Sequence, residues 1–177
     1  EDKMYRALVL SNLLAIHQKT RIGRLSAYCG AVSAGSACGA AICYLFGGDY
    51  DAIAHCLVNS LAITSGIICD GAKASCAAKI AFSIESAMVA YEMYKCGNEF
   101  LDGEGIVSKG VENTIINVGR LGKDGMRETD KEILNIKPTI SKNGDAILIV
   151  NYYDFEDCLH HTIYCDRIDV ITKESED

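Results

Sequence analysis

The sequence has no tryptophan, one proline, at position 138, and no dense run of lysine and arginine. Its basic residues come no closer together than the loose group Lys19, Arg21 and Arg24, and the net charge is −7 with a pI near 5.1. That excludes the electrostatic footprint of a nucleic-acid-binding protein. The scarcity of proline, together with 49% apolar residues, excludes an intrinsically disordered chain. Nine cysteines are too sparse for a secreted disulfide scaffold, and an odd number cannot pair completely within one chain. A reducing compartment is the expectation, so a cytoplasmic location. The opening Glu1-Asp2-Lys3 leads into an amphipathic stretch, not the apolar core of a signal peptide, and the chain reads as a fragment or a processed product.

What is present is long enough for a proper core and arranged mainly for helices. Met4 to His17 places Leu8, Leu10, Leu13, Leu14 and Ile16 in one arc, with Lys3, Arg6, Asn12 and Gln18 outside it. Leu25–Gly48 and Ala52–Cys69 are then free of charged residues. The first run could span a bilayer by length, and Ala31, Gly35 and Gly39 have the small-xxx-small spacing that lets helices approach closely. It is, however, built of Ala, Gly, Ser and Cys, and the second run carries His55, Asn59, Ser60, Thr64 and Ser65, which lipid would penalise. Two buried helices of a helical core account for both runs, and no membrane partner is expected.

Ala72 to Tyr94 predicts a further helix, with Ile80, Ile84, Ala87, Met88 and Tyr91 inward, Lys79, Glu85 and Glu92 outward, and Gly97 closing it. A loop from Glu99 to Gly110 leads to a helix over Val111–Val118. Gly119, Gly122 and Gly125 are expected to break that helix, and Thr129-x-x-Glu132 to cap a last one ending near Ile136. Beyond Pro138 the character changes. Ala146–Tyr153 and Thr162–Ile171 are β-branched and aromatic, and Asn143-Gly144 is a turn signal. The expected organisation is a mainly α, bundle-like domain over 1–137 with a small strand-rich tail over 138–177.

Chemistry centres on the cysteines. Cys38, Cys43 and Cys56 lie in the charge-free runs and read as core. Cys69 and Cys76 are seven residues apart, about 10 Å along a straight helix. If Cys69 instead precedes the helix and Gly71 bends the chain, both thiols converge near the helix N-terminus, an end that favours negative sulfur. Cys29, beside Gly30, is the natural third ligand. Three thiolates with an unfilled position allow iron or zinc to act as a Lewis acid. Lys73 adds positive charge nearby and is the candidate catalytic residue; its alternative role is a charge partner for Asp70. A rival zinc site would use Cys158, His160 or His161, and Cys165. Gly103-Glu104-Gly105 opens like a dinucleotide motif, but Ser108 stands where the third glycine belongs, so that reading is set aside.

The segments Leu25-Ser26-Ala27-Tyr28-Cys29-Gly30-Ala31-Val32-Ser33, Ile68-Cys69-Asp70-Gly71-Ala72-Lys73-Ala74-Ser75-Cys76-Ala77-Ala78-Lys79 and Asn117-Val118-Gly119-Arg120-Leu121-Gly122 closely resemble the L-cysteine desulfidase family, itself akin to the alpha chain of bacterial L-serine dehydratase. Asp102-Gly103-Glu104-Gly105-Ile106-Val107 and Gly125-Met126-Arg127-Glu128-Thr129-Asp130 belong to the same resemblance, which runs to about Ile136 and covers the family's C-terminal half. It implies a largely helical fold and an oxygen-sensitive 4Fe-4S cluster on Cys29, Cys69 and Cys76, with one iron open to substrate. The implied reaction is α,β-elimination of L-cysteine to sulfide, pyruvate and ammonia; L-serine is the alternative substrate. The family's N-terminal substrate-holding motif has no counterpart here. The resemblance therefore also allows a metal-binding or interaction module without catalysis, or a chain completed by an N-terminal half or by a second copy. The tail over 138–177 has no match in the family.

Overall fold

The computed structural model describes residues 1–24 and 26–136, and the backbone of 148–153 and 159–165. The chain divides into two compact units, Glu1–Ile133 and Leu134–Asp177.

The first unit is helical: α1 (Asp2–Ile22), α2 (Gly30–Leu45), α3 (Tyr50–Thr64), α4 (Ser75–Lys95) and α5 (Val111–Arg120), which runs into a π-helical turn, Leu121–Gly125. α6 (Arg127–Ile136) follows and crosses the boundary between the units. Both charge-free runs are helices of this core, and no helix among the described residues is long and apolar enough to cross a membrane. α2 is the central element, packed against α1, α3 and α4. Its small side chains make that possible. A Cβ on Gly35 would fall 2.3 Å from Ser83 Cβ, and one on Gly39 would fall 2.0 Å from Ala87 Cβ, so α2 and α4 meet nearly backbone to backbone. Both pairs step forward by four residues, which means that α2 and α4 run parallel with their N-terminal ends on the same side. α3, starting at its Asp49 cap, whose carboxylate accepts from Ala52 N at 2.9 Å, brings the chain back between them.

One hydrophobic cluster gathers Ile22, Tyr28, Val32, Leu57, Leu61, Ile115 and Val118; a second gathers Cys43, Cys56, Ala87 and Ala90. Several details differ from the expectation. On α1 only part of the apolar arc faces inward: Leu10 and Leu14 are half-buried, with Leu14 packed on the first cluster, but Leu8, Leu13 and Ile16 are exposed, whereas Gln18 is fully buried. The Gln18 amide donates to Ser33 O, and its carbonyl accepts from Ser36 Oγ, both at 3.3 Å, so α2 satisfies a polar group that periodicity placed outside. The glycines after Val118 do not break α5, because a π turn absorbs them. α6 begins at Arg127, so Thr129 lies inside the helix and is not its cap. Gly97, at φ 72°, does close α4.

In the second unit, β1 (Leu148–Tyr153) and β2 (Leu159–Cys165) pair antiparallel, with Leu148 opposite Cys165, Asn151 opposite Thr162 and an irregularity after Tyr152. The Asn143-Gly144 turn and Cys158 of the rival zinc site lie outside the described residues.

Candidate functional site

The parallel packing of α2 and α4 brings two helix N-termini to one end of the helical unit. Cys29 is the cap residue of α2, 3% exposed, with its carbonyl accepting from Val32 N at 3.1 Å and Ser33 N at 3.4 Å. Cys76 lies in the first turn of α4, half-buried, and its thiol donates to Gly71 O at 3.5 Å. Between α3 and α4 the chain runs through the loop that holds Cys69. Gly71 turns it with φ 98°, a conformation that side chains rarely adopt.

A short piece of backbone pairing joins the first two cysteines. Tyr28 and Ile68 form an antiparallel bridge; Cys69 N donates to Ala27 O at 2.6 Å and Cys29 N to Ile67 O at 3.3 Å. Cys29 and Cys69, far apart in sequence, therefore sit on two paired strands of chain. The Cys29 strand is fixed from the other side too. Ser26 Oγ donates to Gly122 O at 2.7 Å, and a Cβ at Gly122 would fall 3.2 Å from Tyr28 Cβ, so the π turn presses directly on this segment.

Lysines and one carboxylate complete the surroundings. Lys79 Nζ donates to Ile68 O and to Asp70 Oδ1, each at 2.8 Å, and Lys73 pairs with the other Asp70 oxygen. The two ammonium groups hold the Asp70 carboxyl well below the usual carboxylate range. The Lys79 amine is pushed up, first by Asp70, with Cys29 and Cys76 near enough to add to the effect. Lys73, the candidate from the sequence, is thus found in its ion pair with Asp70. Lys79, expected on an outer face, instead reaches back over the Cys69 loop. Its position three residues after Cys76, on the same side of α4, is the signal that marks it.

The seven cysteines with described side chains are all free thiols. Cys43 and Cys56 are fully buried, as core. Burial pushes the Cys43 thiol up to about 11 and the Cys56 thiol up to about 12, and Cys56 donates to Ala87 O at 3.3 Å. Among the described residues, no three His, Cys, Asp or Glu side chains are close enough to hold a single metal ion. An iron–sulfur cluster asks for a wider arrangement, because each thiolate binds a different iron around a larger body. Three free thiols on two paired strands and an adjoining helix turn suit that demand. Two neighbours add to the fit: Tyr28 and Ser33, which flank Cys29, have buried hydroxyl groups with no protein partner among the described residues. Native structures rarely leave such groups idle, and a bound group with acceptor atoms would satisfy them.

Asp102 and Glu104 serve their own loop, accepting from Lys109 N at 2.9 Å and Leu101 N at 2.6 Å. A separate hollow of about 290 Å³ lies beside them, lined by Tyr50, His55, Phe100 and Val107. His55 pairs there with Glu99 at 2.7 Å. No cysteine lines it.

Residues 1–135 match the family model of the serine dehydratase alpha chain. A UPF0597 protein of Desulfitobacterium hafniense is 62% identical over 136 residues, which make up 77% of this chain and 32% of that protein. Those of Treponema denticola and Lachnoclostridium phytofermentans are 54% and 53% identical over the same length, covering 32% and 33% of theirs. This chain therefore spans about a third of the length of these relatives, less than the half implied by the resemblance. No solved structure matches it.

Proposed function

Because the chain belongs to the serine dehydratase alpha chain family, we propose that it is the cluster-binding part of an iron–sulfur lyase acting on a small amino acid by α,β-elimination. L-Cysteine is the favoured substrate and L-serine the alternative, and the setting is cytoplasmic. The observation that supports this reading is that Cys29 caps α2, Cys69 lies on the segment paired with that of Cys29, and Cys76 lies in the first turn of α4. These three would hold a 4Fe-4S cluster. When bound, it supplies a Lewis-acidic iron that polarises the leaving group.

The chain's own contribution is placement. The Tyr28–Ile68 bridge holds two thiols in register, helix ends present positive backbone N–H groups to anionic ligands, and Tyr28 and Ser33 offer buried donors beside Cys29. Lys73 stays in the reading as a site residue through its place on the loop between Cys69 and Cys76, its charge shared with Asp70.

Since the relatives are about three times longer than the matched region, substrate recognition is assigned to a partner: the part of the enzyme that the relatives carry elsewhere, or a second copy of this chain. The exposed Tyr5, Leu8, Leu13 and Ile16 on α1 support such an association. The same length difference favours a second reading, a non-catalytic metal-binding module. Anaerobic purification with iron and acid-labile sulfide analysis tests the cluster. About four of each per chain, lost in air, is the expected result; absence of iron after anaerobic reconstitution refutes the reading. Turnover of L-cysteine on adding the remaining part of a relative separates the lyase from the module.

A further inference from the structure

We propose that Lys79 is the positioning residue of the thiol site, clamping the Cys69 loop onto α4 so that Cys69 and Cys76 are presented together. The cluster in this statement rests on the proposed function; the clamp itself does not.

Lys79 straddles Cys69. Its ammonium donates to Ile68 O on one side of that cysteine and to Asp70 Oδ1 on the other, each at 2.8 Å. Lys79 stands on α4 three residues after Cys76, so one side chain ties the loop bearing one thiol to the helix turn bearing the next. The tie is needed. On the Cys69 side the loop has its backbone bonds to Ala27 and Cys29, but from Asp70 to Ala74 it has no helix or strand of its own, and Gly71 turns it in a conformation that side chains rarely adopt. Lys79 uses two of its three hydrogens here and its side chain is only 20% exposed, which sets it apart from a freely solvated lysine. Lys73, at 48% exposed, meets only the remaining oxygen of Asp70 and touches neither neighbour's backbone. It steadies the carboxylate; Lys79 holds the loop.

The test begins with the metal-free protein. Hydrogen exchange is followed by mass spectrometry in wild type, Lys79→Met and Lys79→Arg, with circular dichroism as the check on folding. Losing hydrogen bonds to a charged donor is expected to raise exchange over residues 67–71 by about tenfold or more in Lys79→Met, while α2 and α3 keep their protection. Lys79→Arg, which retains charge and donors, is expected to stay within about threefold of wild type. Alkylation of Cys69 should speed up in Lys79→Met and not in Lys79→Arg.

Each protein is then reconstituted with iron and sulfide under anaerobic conditions. Lys79→Met should hold less than half the wild-type iron and lose it faster to a chelator, with Arg restoring both. Unchanged exchange over 67–71 in Lys79→Met overturns the proposal, as does a loosened loop that keeps its full iron. Should Lys79→Met not fold, Asp70→Ala removes one of the two contacts and leaves the bond to Ile68 O, so the same changes are expected at smaller size, and unchanged exchange over 67–71 overturns the proposal. If wild type takes up no iron, the cluster reading falls, and exchange and alkylation in the metal-free protein still decide the clamp.

Discussion

Replacing Gly39 by alanine puts a methyl group where α2 and α4 touch. The new Cβ would lie 2.0 Å from Ala87 Cβ and 3.3 Å from Ala87 Cα. Carbon atoms rest about 3.5 Å apart or more, so the helices must part by about 1.5 Å at this point. Overpacking of this kind costs about 1–3 kcal/mol. Alanine returns about 0.5–1 kcal/mol as the better helix former, leaving a net loss of up to about 2 kcal/mol. Gly30→Ala is the control on the same helix: nothing lies within 4 Å of its Cβ, and a change below about 0.5 kcal/mol is expected. Urea unfolding followed by circular dichroism measures both. In the double variant Gly39→Ala with Ala87→Gly the clash disappears, so the pair should couple by about 1 kcal/mol or more. The ends of α2 and α4 carry Cys29 and Cys76, so Gly39→Ala should also lower iron retention. A Gly39→Ala protein as stable as the Gly30→Ala control, or a double variant whose losses simply add, would refute the close seam.

The other predictions concern the thiols and the surface of α1. Cys29→Ala, Cys69→Ala and Cys76→Ala should each abolish cluster binding in the reconstitution assay, whereas Cys38→Ala and Cys56→Ala should keep it; full iron in any of the first three removes that ligand. Cys43 and Cys56, with thiols at about 11 and about 12, should be the slowest of the described cysteines to alkylate at neutral pH, and rapid labelling of either would contradict its burial. Ser26→Ala removes the 2.7 Å bond to Gly122 O and should cost about 1 kcal/mol in urea unfolding. Glu112 ties α5 to α1, accepting from Arg21 at 2.9 Å and meeting His17 at 2.7 Å. These partners, His17 first, hold its carboxyl below the ordinary range. A carboxylate lowered by folding stabilises above its unfolded value and loses that contribution as pH falls through the folded one. At a half-exposed site the amount is at most about 1 kcal/mol. Glu112→Gln should therefore be less stable than wild type at neutral pH, with the difference closing in acid.

Much of the helical unit was legible in the sequence because it rests on strong local signals. Two charge-free runs, the apolar periodicity after Ala72 and a glycine stop at 97 are enough to place α2, α3 and α4. The small-residue spacing at Gly35 and Gly39 announced a close approach, though which helix would meet it was not readable, since Ser83 and Ala87 look like ordinary helix residues. α1 was misjudged in its buried side because amphipathic periodicity measures only apolarity. Gln18 is buried by hydrogen bonds to α2, which no pattern within α1 records. The π turn was read as a break because glycines signal poor helix propensity, while at Gly119 and Gly122 they are needed for close packing against Arg21 and the Ser26–Tyr28 segment. The three cysteines were visible as a set and Gly71 as the bend. The backbone bridge between Tyr28 and Ile68 was not, because it depends on how α2, α3 and α4 stack. Lys79 was missed for the same reason: a lysine on a helix reads as solvated until the loop it covers is in place.

The π turn also sets how this chain tolerates changes of length. Gly119 faces Arg21, and three positions later Gly122 faces Ile22, Ser26 and Tyr28. Each residue in a helix advances the direction of its side by about 100°. Inserting or deleting a single residue between these two glycines would swing one of them away, bring a bulkier side chain against its partner and pull on the segment that ends in Cys29. Exposed positions such as Lys123 and Asp124 can exchange side chains freely. For a gene under drift, point substitutions at these exposed positions are cheap, and a gain or loss of one codon is not.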